Sequence, residues 1–87
     1  SASMGKLIKY NNKEYKLPFD VELPEDPTAT DTVRNRFGGE SCTLPAFAIA
    51  VYDVIMGSEM LQDWKSHRKG LDWFIKYFPK EYMVLLD

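Results

Sequence analysis

The sequence predicts a small α+β domain, and three observations carry that prediction. Two short β-branched and aromatic runs flank Asn11-Asn12, a nearly all-apolar run extends from Leu44 to Met56, and an amphipathic run follows from about Asp63 to Tyr77. The first reads as a β-hairpin and the other two as helices. The expected architecture is an N-terminal hairpin packed on two main helices, with a short helix closing the C-terminus.

Lys6 to Tyr10 and Lys13 to Leu17 are the two arms of the hairpin. Asparagine tolerates the positive φ that a two-residue hairpin turn demands. Pairing across that turn sets Ile8 opposite Tyr15 on one face and Lys9 opposite Glu14 on the other. A packed pair and an ion pair thus agree on register, and Ile8 and Tyr15 mark the core face. After Pro18, Phe19 to Leu23 alternates apolar and acidic residues and reads as a third, edge strand. Pro24 to Gly39, rich in proline, threonine and paired glycine, reads as a long connection with a short helical turn at Thr30 to Arg34.

Thr43 is the expected N-cap of the first helix and Pro45 its first-turn proline; the helix should end between Gly57 and Leu61. On a helical wheel Leu44, Phe47, Ala48, Val51 and Ile55 share one face. Ala46, Ala50, Asp53 and Gly57 form the reverse, flanked by Ile49, Met56 and Met60. The second helix carries Trp64, Leu71, Phe74, Ile75 and Phe78 on its expected core stripe. Gly70 costs it about 1 kcal/mol relative to alanine, which a close packing contact would offset. Pro79-Lys80-Glu81 suits the opening of a third, short helix, the alternative being a terminal strand at Tyr82 to Leu86.

Eighty-seven residues hold one domain, expected from Met4 to Asp87, with Ser1-Ala2-Ser3 read as a cloning remnant. A hydrophobic share of 45% with 28% charged residues is that of an ordinary globular chain. A single cysteine, Cys42, excludes an internal disulfide, and a single histidine, His67, puts a mixed Cys/His zinc site of usual ligand count out of reach. No cofactor is expected, and the cysteine usage fits a cytoplasmic protein. The Leu44 to Met56 run falls short of the roughly 20 apolar residues that cross a bilayer, so no membrane partner is expected. The net charge of −2 argues against a surface built wholly for nucleic acid. Its distribution is uneven: Lys6, Lys9, Lys13 and Lys16 precede Asp20, Glu22, Glu25, Asp26 and Asp31, with no basic residue again before Arg34.

The stretches Arg34 to Cys42, Val51 to Gly57 and Arg68 to Phe74 resemble small uncharacterised proteins encoded by tailed bacteriophages of marine bacteria. The likeness covers about the last two thirds of the chain. It transfers no catalytic residue and implies a setting, a small viral protein acting in the cytoplasm of an infected bacterium.

Arg34, Arg36, Gly38, Gly39, Ser41 and Thr43 lie just upstream of the expected helix start, where free N–H groups and the dipole attract anions. No Lys-Ser/Thr pair completes a phosphate-binding loop there, and helix capping with a tight turn accounts for the same residues. Cys42 in this position is a candidate for a lowered thiol pKa, but His67, beside Arg68 and Lys69, is a poor partner for a thiolate, and no catalytic residue is assigned. Trp73 and Tyr77, four apart among Lys69 and Lys76, suit a protein interface or a nucleic-acid platform; core burial beneath the hairpin is the competing account. Ala46, Ala50 and Gly57, beside Ile49, Met56 and Met60, form a small-residue stripe suited to a homodimer. The leading expectation is a non-enzymatic accessory protein acting through protein–protein contact. The alternative is a weak nucleic-acid binder using Lys65, Arg68, Lys69, Lys76 and Trp73, and a small thiol enzyme built on Cys42 comes third.

Overall fold

The computed structural model of the chain describes residues 7–19, 21–35 and 38–86. Lys6, Asp20, Arg36, Phe37 and the first five residues lie outside them, as does Asp87. In order the elements are β1 (Leu7–Tyr10), β2 (Lys13–Lys16), β3 (Thr30–Arg34), β4 (Ser41–Pro45), α1 (Ala46–Met60), α2 (Trp64–Tyr77) and α3 (Pro79–Leu85). This is a small α+β fold with an N-terminal hairpin. Its strands form two separate antiparallel pairs, β1 with β2 and β3 with β4.

The first hairpin has the expected register, with Ile8 opposite Tyr15 and Lys9 opposite Glu14. Asn11 and Asn12 take φ of 52° and 62°, the left-handed geometry of a type I′ turn. Ile8 and Tyr15 are buried together with Leu17. Tyr15 stacks on Phe78 at 5.4 Å and 12° and meets the rings of Tyr10, Phe47 and Tyr77. The hairpin is fastened to α2 by one further bond, Trp73 Nε1–H donating to the Lys16 carbonyl at 2.6 Å.

Four expectations are corrected. The segment after Pro18 forms no third strand: Phe19, Val21 and Leu23 pack against the core, but the described residues there join no ladder. Alternation gave their burial correctly; Pro18 and Pro24 bracket a stretch with no neighbouring strand to pair with. The helical turn at Thr30 to Arg34 is instead β3, paired with β4 so that Thr32 faces Thr43 and Val33 faces Cys42. Thr43 is therefore mid-strand and caps nothing. Pro45, extended at φ −68° and ψ 155°, precedes α1, and the Ala46 and Phe47 amides donate to the carbonyls of Ala29 and Pro27 at 2.7 and 2.9 Å. Finally, Trp64 and Ile75 of the expected α2 core stripe are 58% and 48% exposed, whereas Gly70 and Trp73 are buried. The helix is rotated because Gly70 is where α1 comes closest. A β-carbon at Gly70 would stand 2.9 Å from Ile55 Cδ1 and nearer still to Cγ1, and that approach is what the glycine permits.

Asp63 caps α2 through its carboxylate, which accepts from the Ser66 amide at 3.4 Å, and Pro79 opens α3 as expected. Phe47, Leu44, Val51, Ile55 and Phe74 are fully buried where α1, α2, the end of β4 and the first hairpin converge. Among the described residues no helix is long and apolar enough to cross a membrane.

Candidate functional site

Helical spacing gives α1 two faces. Val51, Ile55 and Ser58 turn inward, where the Ile55 carbonyl also meets His67 Nδ1 at 3.2 Å. Ala46, Ile49, Ala50 and Asp53 fall on the reverse. There they form the floor of a groove of about 560 Å³ whose wall is the chain from Glu22 to Asp31. The wall lies against α1 because the Ala29 and Pro27 carbonyls hold the helix's first amides. Among the described residues five carboxylates line the groove, those of Glu22, Glu25, Asp26, Asp31 and Asp53, and no lysine or arginine does. Asp26 and Asp31 accept local bonds from Thr28 and Thr32. Among the described residues no three of His, Cys, Asp and Glu converge closely enough to hold a metal ion. The acidic groups are strung along a rim, with apolar side chains between.

The same face continues toward the C-terminal end of α1. Met56 and Gly57 are half-buried, a β-carbon on Gly57 would meet nothing within 4 Å, and Met60 is 75% exposed. Of the residues expected to form an interface, Ala46, Ile49, Ala50, Met56 and Met60 thus lie on one open side of α1. Trp73 and Tyr77 do not join them. Trp73 is only 6% exposed, in ring contact with Phe47, Phe74, Tyr77 and Phe78, and so offers no face for a base to stack on. Tyr77 is half-buried against Tyr15.

The residues expected to bind an anion are carried elsewhere. Arg34 pairs with Ser41 in the β3–β4 ladder, Gly38 and Gly39 sit in its loop, and Arg36 lies outside the described residues. Gly39 takes φ 75°, and the Gly38 amide donates to Asn35 Oδ1 at 3.1 Å. β4 separates this loop from the start of α1 by about 3.3 Å per residue, and the first two helix amides already have carbonyl partners. Cys42 is corrected in sign as well: burial first, and Glu81 second, push its thiol pKa up rather than down. His67 is engaged with Ile55 and, edge-on, with Trp64.

A second cleft, sharing no residue with the first, opens where the end of β2 meets α2. It measures about 350 Å³ and is lined by Lys16, Leu17, Pro18, Lys69, Asp72, Trp73, Lys76 and Tyr77. Sequence reading had Lys69 and Lys76 as a basic face but missed Lys16, which only the docking of the hairpin brings beside them. Asn35 was also missed. Its Nδ2–H donates to the Val84 carbonyl at 2.6 Å and its amide to the Glu40 carbonyl, tying the β3–β4 loop to α3.

Comparison with protein-family models, with curated proteins and with solved structures gives no match to this chain. Its functional reading rests on its own geometry.

Proposed function

We propose that this chain is a non-enzymatic accessory protein whose groove along α1 receives a basic, amphipathic segment of another protein. The observation that supports the reading is the groove itself, with the apolar Ala46, Ile49 and Ala50 on its floor and, among the described residues, five carboxylates and no cation on its lining. Apolar anchors would bury against the floor while lysines or arginines meet the rim, the division of labour usual at protein interfaces. Spread along the groove, the carboxylates suit charges spaced along a chain better than one ion. A second copy meeting face to face would double the carboxylates around Asp53 without adding a cation, so charge opposes the homodimer that the small-residue stripe favours. The setting proposed with the reading, the cytoplasm of an infected bacterium, comes from the sequence resemblance alone and adds nothing to the geometry.

The test is a photo-reactive residue at Ala50, compared with the same group at Glu14 on the exposed side of β2. Ala50 should cross-link one partner segment of net positive charge that Glu14 does not. A synthetic copy of that segment should bind at least tenfold more weakly when Asp53→Lys and Glu25→Lys are introduced. Equal labelling from both positions, an acidic segment, or cross-linking of the chain to itself would overturn the reading.

A further inference from the structure

The cleft between β2 and α2 is chemically the reverse of the groove. Lys16 enters from the hairpin, and Lys69 and Lys76, two helical turns apart, from one side of α2. Among the described residues the single acid on the lining is Asp72, whose Oδ1 lies 3.6 Å from Arg68 Nε, so the three ammonium groups outnumber it and the lining stays positive. Two of them are seated over rings, Lys69 Nζ at 5.9 Å from the Phe19 centroid and Lys76 Nζ at 5.2 Å from that of Tyr77. Such contacts guide the flexible stems without neutralising the charge. Beneath them the floor is apolar: Leu17 and Trp73 are buried, and Pro18 and Tyr77 are half-exposed.

From this juxtaposition we infer that the cleft binds a nucleotide, with its phosphate among the three lysines and its base against Pro18 and Tyr77. Charge decides for phosphate over carboxylate. A phosphate monoester carries about −1.5 to −2 at neutral pH, while an acidic side chain supplies one charge on a small head with no flat body to cover the floor. The volume suits one nucleotide, at the lower end of the roughly 300–1,000 Å³ usual for ligand sites. The fixed polar group at the floor, the Trp73 indole N–H, is already committed to the Lys16 carbonyl. Recognition therefore runs through charge and ring contact, which every base satisfies. A free nucleotide offers that monoester, whereas single-stranded nucleic acid offers the same bases with one diester charge per residue, so that neighbouring phosphates would share the three lysines.

The site is independent of the groove along α1 and is tested separately, by amide and indole NMR shifts of the 15N-labelled full chain. AMP and a dT hexamer should each shift the Trp73 indole resonance and the amides of Lys16, Lys69 and Lys76 saturably. The stronger of the two identifies the source. For the hexamer, three lysine contacts predict roughly 20-fold weaker binding between 50 and 200 mM salt. Lys16→Gln, at an exposed position, should lower the slope of log affinity against log salt by about 0.7. Equal shifts from inorganic phosphate or from a glutamate hexamer, shifts scattered over the surface, or no shift at all would overturn the proposal.

Discussion

The two hairpins differ in what holds them. The first docks through side chains: Ile8, Tyr15 and Leu17 are buried, and Tyr15 touches four other rings. In the second, β3 has no buried residue and burial is confined to Leu44 and Pro45 at the end of β4; the rest of the attachment runs through hydrogen bonds, from Ala46 and Phe47 to the approach chain and from Asn35 to Val84. Apolar burial is strong and non-directional, whereas a hydrogen bond nets about 1 kcal/mol but fixes position. Each mode suits what its region borders. The aromatic hairpin brings Lys16, Leu17 and Pro18 to the lysine cleft, and the hydrogen-bonded chain before β3 walls the acidic groove.

The sharpest way to break the comparison is to truncate one residue in each hairpin. Tyr15→Ala removes a buried ring and should destabilise the domain by about 3–5 kcal/mol, a large part of the roughly 5–15 kcal/mol available to a small protein. Thr32→Ala, at an exposed cross-strand pair with Thr43, should cost under about 1 kcal/mol. Urea midpoints at unchanged slope read both. Similar losses would mean that β3 is held by burial as well.

Next in size is Asn35→Ala. It removes the donor to Val84 and the acceptor for the Gly38 amide, at an expected cost of about 1–2 kcal/mol. The loss should be local. Hydrogen exchange should quicken in β3 and β4 and stay unchanged in β1 and β2; uniform quickening would show that the two hairpins open together.

The same contrast explains what was legible in the sequence. A hairpin made by burial announces itself through alternation and a left-handed turn pair, so Ile8, Tyr15 and the Asn11-Asn12 turn could be read residue by residue. β3, paired through its backbone over exposed threonines, leaves no apolar signature. Asp31, Pro24 and Pro27 made its approach look like loop, although the threonines at 30, 32 and 43 carried β-propensity. Missing β3 displaced the start of α1, and with it the anion-site residues and the expected Thr43 cap. In α2 the periodicity placed Leu71, Phe74 and Phe78 correctly toward the core but also turned Trp64 and Ile75 inward, because periodicity does not say where a neighbouring helix lies; Gly70 held that information. The open face of α1 was legible as a stripe of small residues. Its acidic wall was not, since only the bonds from Ala46 and Phe47 lay residues 22–31 alongside it.

The smallest expected effect separates the hairpins by pH. Each carries one group whose proton is held more tightly in the fold. Tyr15 is raised by burial first and then by Tyr10, Glu81 and Tyr77; Cys42 on β4 is raised by burial and then by Glu81. A group with a raised folded pKa contributes stability that is fully present below its unfolded pKa and is lost as pH rises through the folded value. The thiol's contribution should therefore begin to fail above about pH 8.5 and the phenol's above about pH 10, giving a decline in two stages as the pH is raised. Cys42→Ala should remove the first stage and Tyr15→Phe the second, each judged as the difference from the parent so that lysine titration cancels. Glu81→Gln should narrow both, because that carboxylate faces both hairpins' titrating groups. Melting temperature measured from pH 7 to 11 reads the profile. Curves for Cys42→Ala and the parent that remain parallel throughout would show that the thiol is as free in the fold as in the unfolded chain.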